Sequence, residues 1–221
     1  MSEAPRERLQ ASQTERNSSE KVPRPVATSA GAAANAAALS KIGEQAFQRG
    51  ELVNSELAAL TYGALVRQLV LDYAHPQQVN EQLDRIGYNI GLRLVDDFLA
   101  RSAAPPCRSF AASAEIIARV AFRMYLGVNA KVAHIASDGS EYSILFDSNP
   151  LAEFAELPEP MKGSLWYSNV ICGVIRGALE MVQYSVQARF ERDILRGDDC
   201  NEIRVSLVRE LEERVPTDNE I

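Results

Sequence analysis

No apolar stretch in this sequence is long enough to cross a bilayer as a helix. Its most apolar segment, residues 164 to 183, is interrupted by Arg176 and Glu180 and falls short of the ~20 apolar residues a span requires. Basic residues are in the minority: 23 Lys and Arg against 30 Asp and Glu leave a net charge of −7, with no basic stripe. Nonspecific nucleic-acid binding needs clustered cations to track phosphates, so that class is excluded. Cysteines number three and lie far apart, an odd set that builds no disulfide framework and points to a reducing compartment, the cytosol. The two histidines, His75 and His134, have no Cys or carboxylate at metal-ligand spacing. There is no phosphate-binding Gly-x-x-x-x-Gly-Lys-Ser/Thr stretch and no Gly-x-Ser-x-Gly elbow. Ser2 excludes N-myristoylation, and the ending Asp-Asn-Glu-Ile is no prenylation box. Membrane association is thereby left to a partner, to reversible acylation or to a charged face.

What is present is an ordinary folding composition, 46% hydrophobic and 24% charged, sufficient for one large domain with a buried core. Residues 1 to 41 are rich in Ala, Ser, Gln and Pro and read as a disordered extension, the alanine run at 32 to 38 offering a turn or two of helix at most. Residues 42 to 213 read as the folded domain and 214 to 221 as a tail. Asn54 or Ser55 caps a helix whose face carries Leu57, Leu60, Ala64, Leu65 and Leu69, and His75-Pro76 ends it.

The centre of the chain is residues 86 to 126. Ile86, Ile90, Leu94 and Phe98 recur every four positions on one helical face, in phase with Val79 and Leu83 before them. Gly87 makes a kink plausible. Arg93, Asp97 and Arg101 stand at ion-pair spacing. Pro105 and Pro106 bar the helix from continuing and place Cys107 at a forced corner. Ile116, Ile117, Val120, Ala121 and Met124 then make a second apolar stripe, which Gly127 ends. Cys107 thus lies at the mouth of two apolar helices, and on the residues alone it is either an idle thiol or an attachment point for something apolar. Cys172, inside an apolar face, reads as core, and Cys200 as incidental. Asp96 and Asp97 point about 100° apart on their helix and read as a solvated face, not as a catalytic pair.

Past Gly127 the period changes. Val132 to Ala136 and Tyr142 to Phe146 flank Asp138-Gly139, a hairpin signal. Residues 148 to 160, with three prolines, form an irregular connection, and Leu165 to Met181 is helical, its Gly173 and Gly177 letting another element approach closely. Val182 to Phe190 alternates, Arg196-Gly197-Asp198-Asp199 turns, and Ile203, Val205 and Leu207 return. The expected fold is α+β: a single domain, an antiparallel sheet of about four strands with four to five helices on one face.

Gly87-Tyr88-Asn89-Ile90-Gly91, then Arg93-Leu94-Val95-Asp96-Asp97-Phe98-Leu99-Ala100-Arg101 with a cysteine six residues on, closely resembles the Bet-three family of subunits of TRAPP, the transport protein particle. The resemblance continues through Leu57 to Tyr73, Asn149-Pro150-Leu151 to Leu157-Pro158, Leu165 to Gln183 and Ile194-Leu195-Arg196-Gly197-Asp198, roughly residues 42 to 216. It implies the TRAPP small-subunit fold. It also implies a non-catalytic core subunit of a tethering complex that promotes nucleotide exchange on an early-secretory Rab GTPase, as vesicles pass from endoplasmic reticulum to Golgi. The implied partners are other small TRAPP subunits in heterodimers, self-pairing as a further mode, the Rab, and the COPII vesicle coat. The implied location is the cytoplasm, with peripheral attachment to cis-Golgi and endoplasmic reticulum membranes.

By the same resemblance Cys107 matches a palmitoylated cysteine whose acyl chain lies in an internal channel. The candidates to line it here are Leu94, Phe98, Ile117, Val120, Ala121 and Met124, with the small Ala121 leaving room. Burying most of a sixteen-carbon chain contributes on the order of 10 kcal/mol. No other cofactor is implied, and no metal. The tail that touches the Rab nucleotide site corresponds to Arg214, Val215, Pro216, Thr217, Asp218, Asn219, Glu220 and Ile221, whose acids suit it to disturb phosphate and magnesium. Two positions depart from the family pattern. Pro105-Pro106 stands where the family has a basic side chain beside the cysteine, which leaves the thiol less ionised. His134-Ile135 replaces Asn-Trp, leaving open any partner contact made by that tryptophan. Two other classes stay open: an acyl-binding module at Golgi membranes, and a self-acylating transferase or thioesterase, against which the missing base near Cys107 weighs.

Overall fold

The structure, a computed structural model, describes residues 29–211. Helix α1 (Ser29–Arg49) is followed by α2 (Ser55–Asp72), which Asn54 caps by accepting the Leu57 N–H at 2.9 Å. Pro76 opens α3 (Pro76–Ser102), where the missing N–H costs nothing. α3 runs 27 residues without a break, so the helix continues through Gly87. Ala103, in the left-handed region at φ 52°, ends it. Ser109 then caps α4 (Phe110–Ile116), which passes directly into a π-helical segment, Ile117–Leu126, closed by Gly127 at φ 68°.

Strands β1 (Ala130–Ala133) and β2 (Glu141–Phe146) form the first hairpin; its tip is fixed by Asp138, whose carboxylate accepts the Ser140 N–H and O–H, and by Gly139 at φ 72°. β1 lies earlier than the pattern indicated because His134 adopts φ 50° and leaves the ladder. After the short α5 (Glu159–Lys162) and α6 (Val170–Met181), β3 (Tyr184–Arg192) and β4 (Asn201–Glu210) make the second hairpin through a 3₁₀ turn at Ile194–Arg196. The four strands are antiparallel in the order β1-β2-β4-β3. Tyr142, Ile144 and Phe146 of β2, Ile203 and Val205 of β4, and Val186 and Phe190 of β3 are buried in one core with α4, the π segment and α6. Charges such as Glu141, Glu191 and Arg204 associate beside them.

Two helices are drawn together backbone to backbone. A methyl at Gly87 would overlap the Val170 carbonyl, one at Gly91 that of Val174, one at Gly173 that of Asp84 and one at Gly177 that of Tyr88. The glycines of α3 and α6 therefore face each other, and the two helices run parallel. Polar contacts flank the seam: Arg176 pairs with Asp84 at 2.6 Å and lies over the Tyr88 ring, and Tyr88 donates to Glu180 at 3.0 Å.

The boundary placed at residue 41 needs correction, because α1 extends back to Ser29. Its C-terminal half docks on the π segment: Leu39 and Ala46 are buried, Gly43 sits against the Arg119 carbonyl and Val120 Cα, and Glu44 pairs with Arg123 at 2.7 Å. The overlooked signal was Leu39, Gly43 and Ala46 at three- and four-residue spacing. Residues 1–28 lie outside the described residues.

Candidate functional site

The seam of α3 with α6, the corner at Cys107 and the π segment border a cavity of about 440 Å³ that opens partly to solvent beside the exposed Ile90 and Leu99. α3 contributes Leu94, Val95 and Phe98, the corner Pro105 and Cys107, the π segment Ile117, Ala121 and Phe122, and α6 Val174, Ile175 and Leu179. Tyr62 of α2 and Leu151 complete it. The lining is almost entirely apolar. Its polar groups are the hydroxyls of Ser113, Tyr62 and Tyr125 and the Cys107 thiol, each with a partner; the Ser113 hydroxyl donates to the Phe110 carbonyl at 2.6 Å and stands 3.0 Å from the Tyr142 hydroxyl. With no charged side chain on this wall, the space suits an apolar ligand.

Leu94, Phe98, Cys107, Ile117 and Ala121, all named from the sequence, are brought together on the cavity wall. Val120 and Met124 are not on it. The reason is the helix type. A stripe drawn at 3.6 residues per turn selects Ile117, Val120, Ala121 and Met124, whereas the i→i+5 bonding of a π helix widens the turn, so that Ile117, Ala121, Phe122 and Leu126 share the inner face. Val120 is buried beside α1 instead. The wider turn also brings Tyr125 across to α3, where its hydroxyl donates to Asp97 at 2.7 Å. Asp97 pairs with Arg101 at 2.6 Å. These hydrogen bonds hold the Asp97 carboxyl below the usual carboxylate range, while burial and the same bond push the Tyr125 phenol up. The pattern missed Tyr125, since nothing in a single helix's spacing marks a partner on another helix.

Cys107 is half-buried, and its thiol donates to the Ser109 carbonyl at 3.3 Å. Burial pushes its pKa up. Cys172 is fully buried in the core, and Cys200 lies half-exposed just before β4. Among the described residues no cluster of His, Cys, Asp or Glu could hold a metal ion, and no helix is long and apolar enough to cross a membrane. Residues Arg214 to Ile221, the candidate Rab-contact tail, lie outside the described residues.

A four-stranded antiparallel sheet, helices sharing a glycine seam, and an apolar chamber with a thiol at its edge define an α+β fold with an apolar cavity between its helices. The comparisons with known proteins are specific. Residues 58–206 match the family model described as transport protein particle (TRAPP) component, and this chain belongs to that family. It is 49% identical over 181 residues to the transport protein particle subunit bet3 of Schizosaccharomyces pombe, covering 82% of this chain and 98% of that one. With the trafficking protein particle complex subunit 3 of Dictyostelium discoideum it shares 47% over 176 residues, 80% of this chain and 95% of the other. Its structure is similar, at a TM-score of 0.72 and 52% identity, to the crystal structure of a trafficking protein particle complex subunit 3 from Naegleria fowleri covalently bound to palmitic acid; the match covers 74% of this chain and 100% of that one.

Proposed function

We propose that this chain is a core subunit of the TRAPP tethering complex, that it supports nucleotide exchange on an early-secretory Rab GTPase, and that Cys107 carries a palmitoyl chain inside the cavity. What carries the reading is the near end-to-end match to relatives named as this subunit. The role is that of a non-catalytic component working at cytoplasmic faces of Golgi and endoplasmic reticulum membranes, with the COPII coat as a further contact. α2 supports assembly with other small subunits: Leu57, Leu60, Leu65 and Leu71 are exposed along it, more apolar surface than one helix leaves in water without a partner. Self-pairing would use the same face.

The exchange role is tested by GDP release from an early-secretory Rab, catalysed by the complex purified on this subunit with and without residues 214–221. Full-length complex accelerates release, and the truncated complex assembles but does not. If intact full-length complex fails to accelerate release, the acyl-binding module becomes the better reading.

The acyl reading is supported by the palmitate bound to the Naegleria fowleri relative and by the placement of Cys107 on the cavity wall. In the reaction the Cys107 thiolate attacks the thioester carbonyl of an acyl donor. A new S–C bond forms, and the donor thiol leaves as thiolate and takes a proton from water. Burial raises the thiol's pKa, so near neutral pH almost all of it is protonated and unreactive. The initial rate of acylation by palmitoyl-CoA therefore climbs about tenfold per pH unit from neutrality upward, without a plateau below the ordinary thiol range. A plateau below pH ~8 would mean that a base activates the thiol, and would revive the transferase reading.

A further inference from the structure

The cavity has two fixed ends. α3 and α6 run parallel, Asp84 against Gly173 and Tyr88 against Gly177, so the corner after α3 that holds Cys107 lies at the Val182 end of α6. At the opposite end stand Val170, Tyr62 and Leu151. Lining residues of α6 extend from Val170 to Val182, twelve residue steps, or about 18 Å at ~1.5 Å per residue. A fully extended chain advances ~3.6 Å over three bonds, ~1.2 Å per bond, so a sixteen-carbon acyl chain is also about 18 Å long.

The far end is rigid. Tyr62 donates its hydroxyl to the Tyr167 carbonyl at 2.5 Å and stands edge-on to the Tyr167 ring, with centroids 5.3 Å apart. It also packs against a second core formed by Val66, Val79 and Leu165. Leu151 is held by a turn in which its N–H donates to Asn149 Oδ1 at 3.2 Å, while the Asn149 amide donates to Ser168 Oγ at 2.7 Å. The Tyr62 side chain cannot swing aside without losing a partly buried hydrogen bond, and the turn fixes the backbone from which Leu151 projects.

We infer that Tyr62, backed by Leu151, is the specificity-determining stop that limits the acyl chain on Cys107 to about sixteen carbons. The inference rests on Cys107 as the acyl carrier. A longer chain, bound at one end and stopped at the other, cannot lie extended: its further methylenes must fold back against the walls or draw buried ones out of the cavity, at a few-fold (~0.8 kcal/mol) for each methylene displaced, so longer donors are disfavoured.

The test uses the full-length protein, offered separately fourteen-, sixteen-, eighteen- and twenty-carbon acyl-CoA thioesters, with the Cys107 adduct read by intact mass. Wild type takes the sixteen-carbon chain at least as well as the fourteen-carbon chain, and the twenty-carbon chain about tenfold less than the sixteen-carbon chain or worse. Tyr62→Ala brings the twenty-carbon chain to within about threefold of the sixteen-carbon chain, whereas Tyr62→Phe, which keeps the ring, behaves as wild type. Leu151→Ala shifts the limit in the same direction as Tyr62→Ala and serves if that variant does not fold. Equal uptake of sixteen and twenty carbons by wild type, or a folded Tyr62→Ala and Leu151→Ala that discriminate as wild type does, would overturn the stop. Absence of any adduct at any length would overturn the acyl-carrier reading itself and the stop with it.

Discussion

Gly173→Ala lowers the thermal midpoint by about 5–10 °C, although alanine is the better helix former. Inside a helix the exchange is worth about 1 kcal/mol in alanine's favour. Against that, the new methyl would overlap the Asp84 carbonyl and crowd the Tyr88 N–H, both backbone groups on a helix that cannot turn aside as a side chain could. α3 and α6 would have to separate, loosening the Asp84–Arg176 and Tyr88–Glu180 contacts that flank them. Overpacking of this kind costs roughly 3 kcal/mol or more, which wins over propensity. A net loss of 2 to 3 kcal/mol corresponds to about 5–10 °C in a chain of this size. Gly163→Ala is the control, since its methyl would meet nothing within 4 Å, and its midpoint stays unchanged. Thermal unfolding by circular dichroism measures both. Equal midpoints for wild type and Gly173→Ala would mean that the seam is looser than described.

Ala121→Leu has the largest expected effect on ligand binding. Ala121 lies on the inner face of the π segment, and a leucine there projects into the cavity between Cys107 and its far wall. Uptake of a palmitoyl chain falls about tenfold or more, because each methylene kept out of the cavity forfeits ~0.8 kcal/mol. In protein without an acyl chain the same leucine fills space, which commonly adds about 0.5–2 kcal/mol. The thermal midpoint therefore holds or rises while acylation drops. That opposition separates a blocked channel from a damaged fold; normal acylation by a folded Ala121→Leu would remove Ala121 from the channel.

Those two residues also mark how far the sequence could be read. Local rules sufficed for the Asp138-Gly139 hairpin, for the start of α2 at Asn54, and for the corner that Pro105-Pro106 forces before Cys107, because each is decided by neighbours within a few positions. Gly173 and Gly177 announced close packing, but their spacing could not say that Gly87 and Gly91 meet them from the opposite side of one seam. The π segment was illegible for a deeper reason. Its inner face follows i→i+5 bonding, which is fixed by α1 docking on one side and by the reach of Tyr125 to Asp97 on the other, so a 3.6-residue stripe misassigned Val120 and Met124. Tyr62 and Leu151 stand far along the chain from Cys107 and join it only through the fold.

The central claim is that Cys107 holds an acyl chain within the cavity, and intact mass of the purified protein after palmitoyl-CoA treatment, before and after hydroxylamine, tests it most directly. The account predicts one palmitoyl adduct, released by hydroxylamine as a thioester is, and absent from Cys107→Ser. An unmodified wild-type protein, or an adduct that persists in Cys107→Ser, would contradict it.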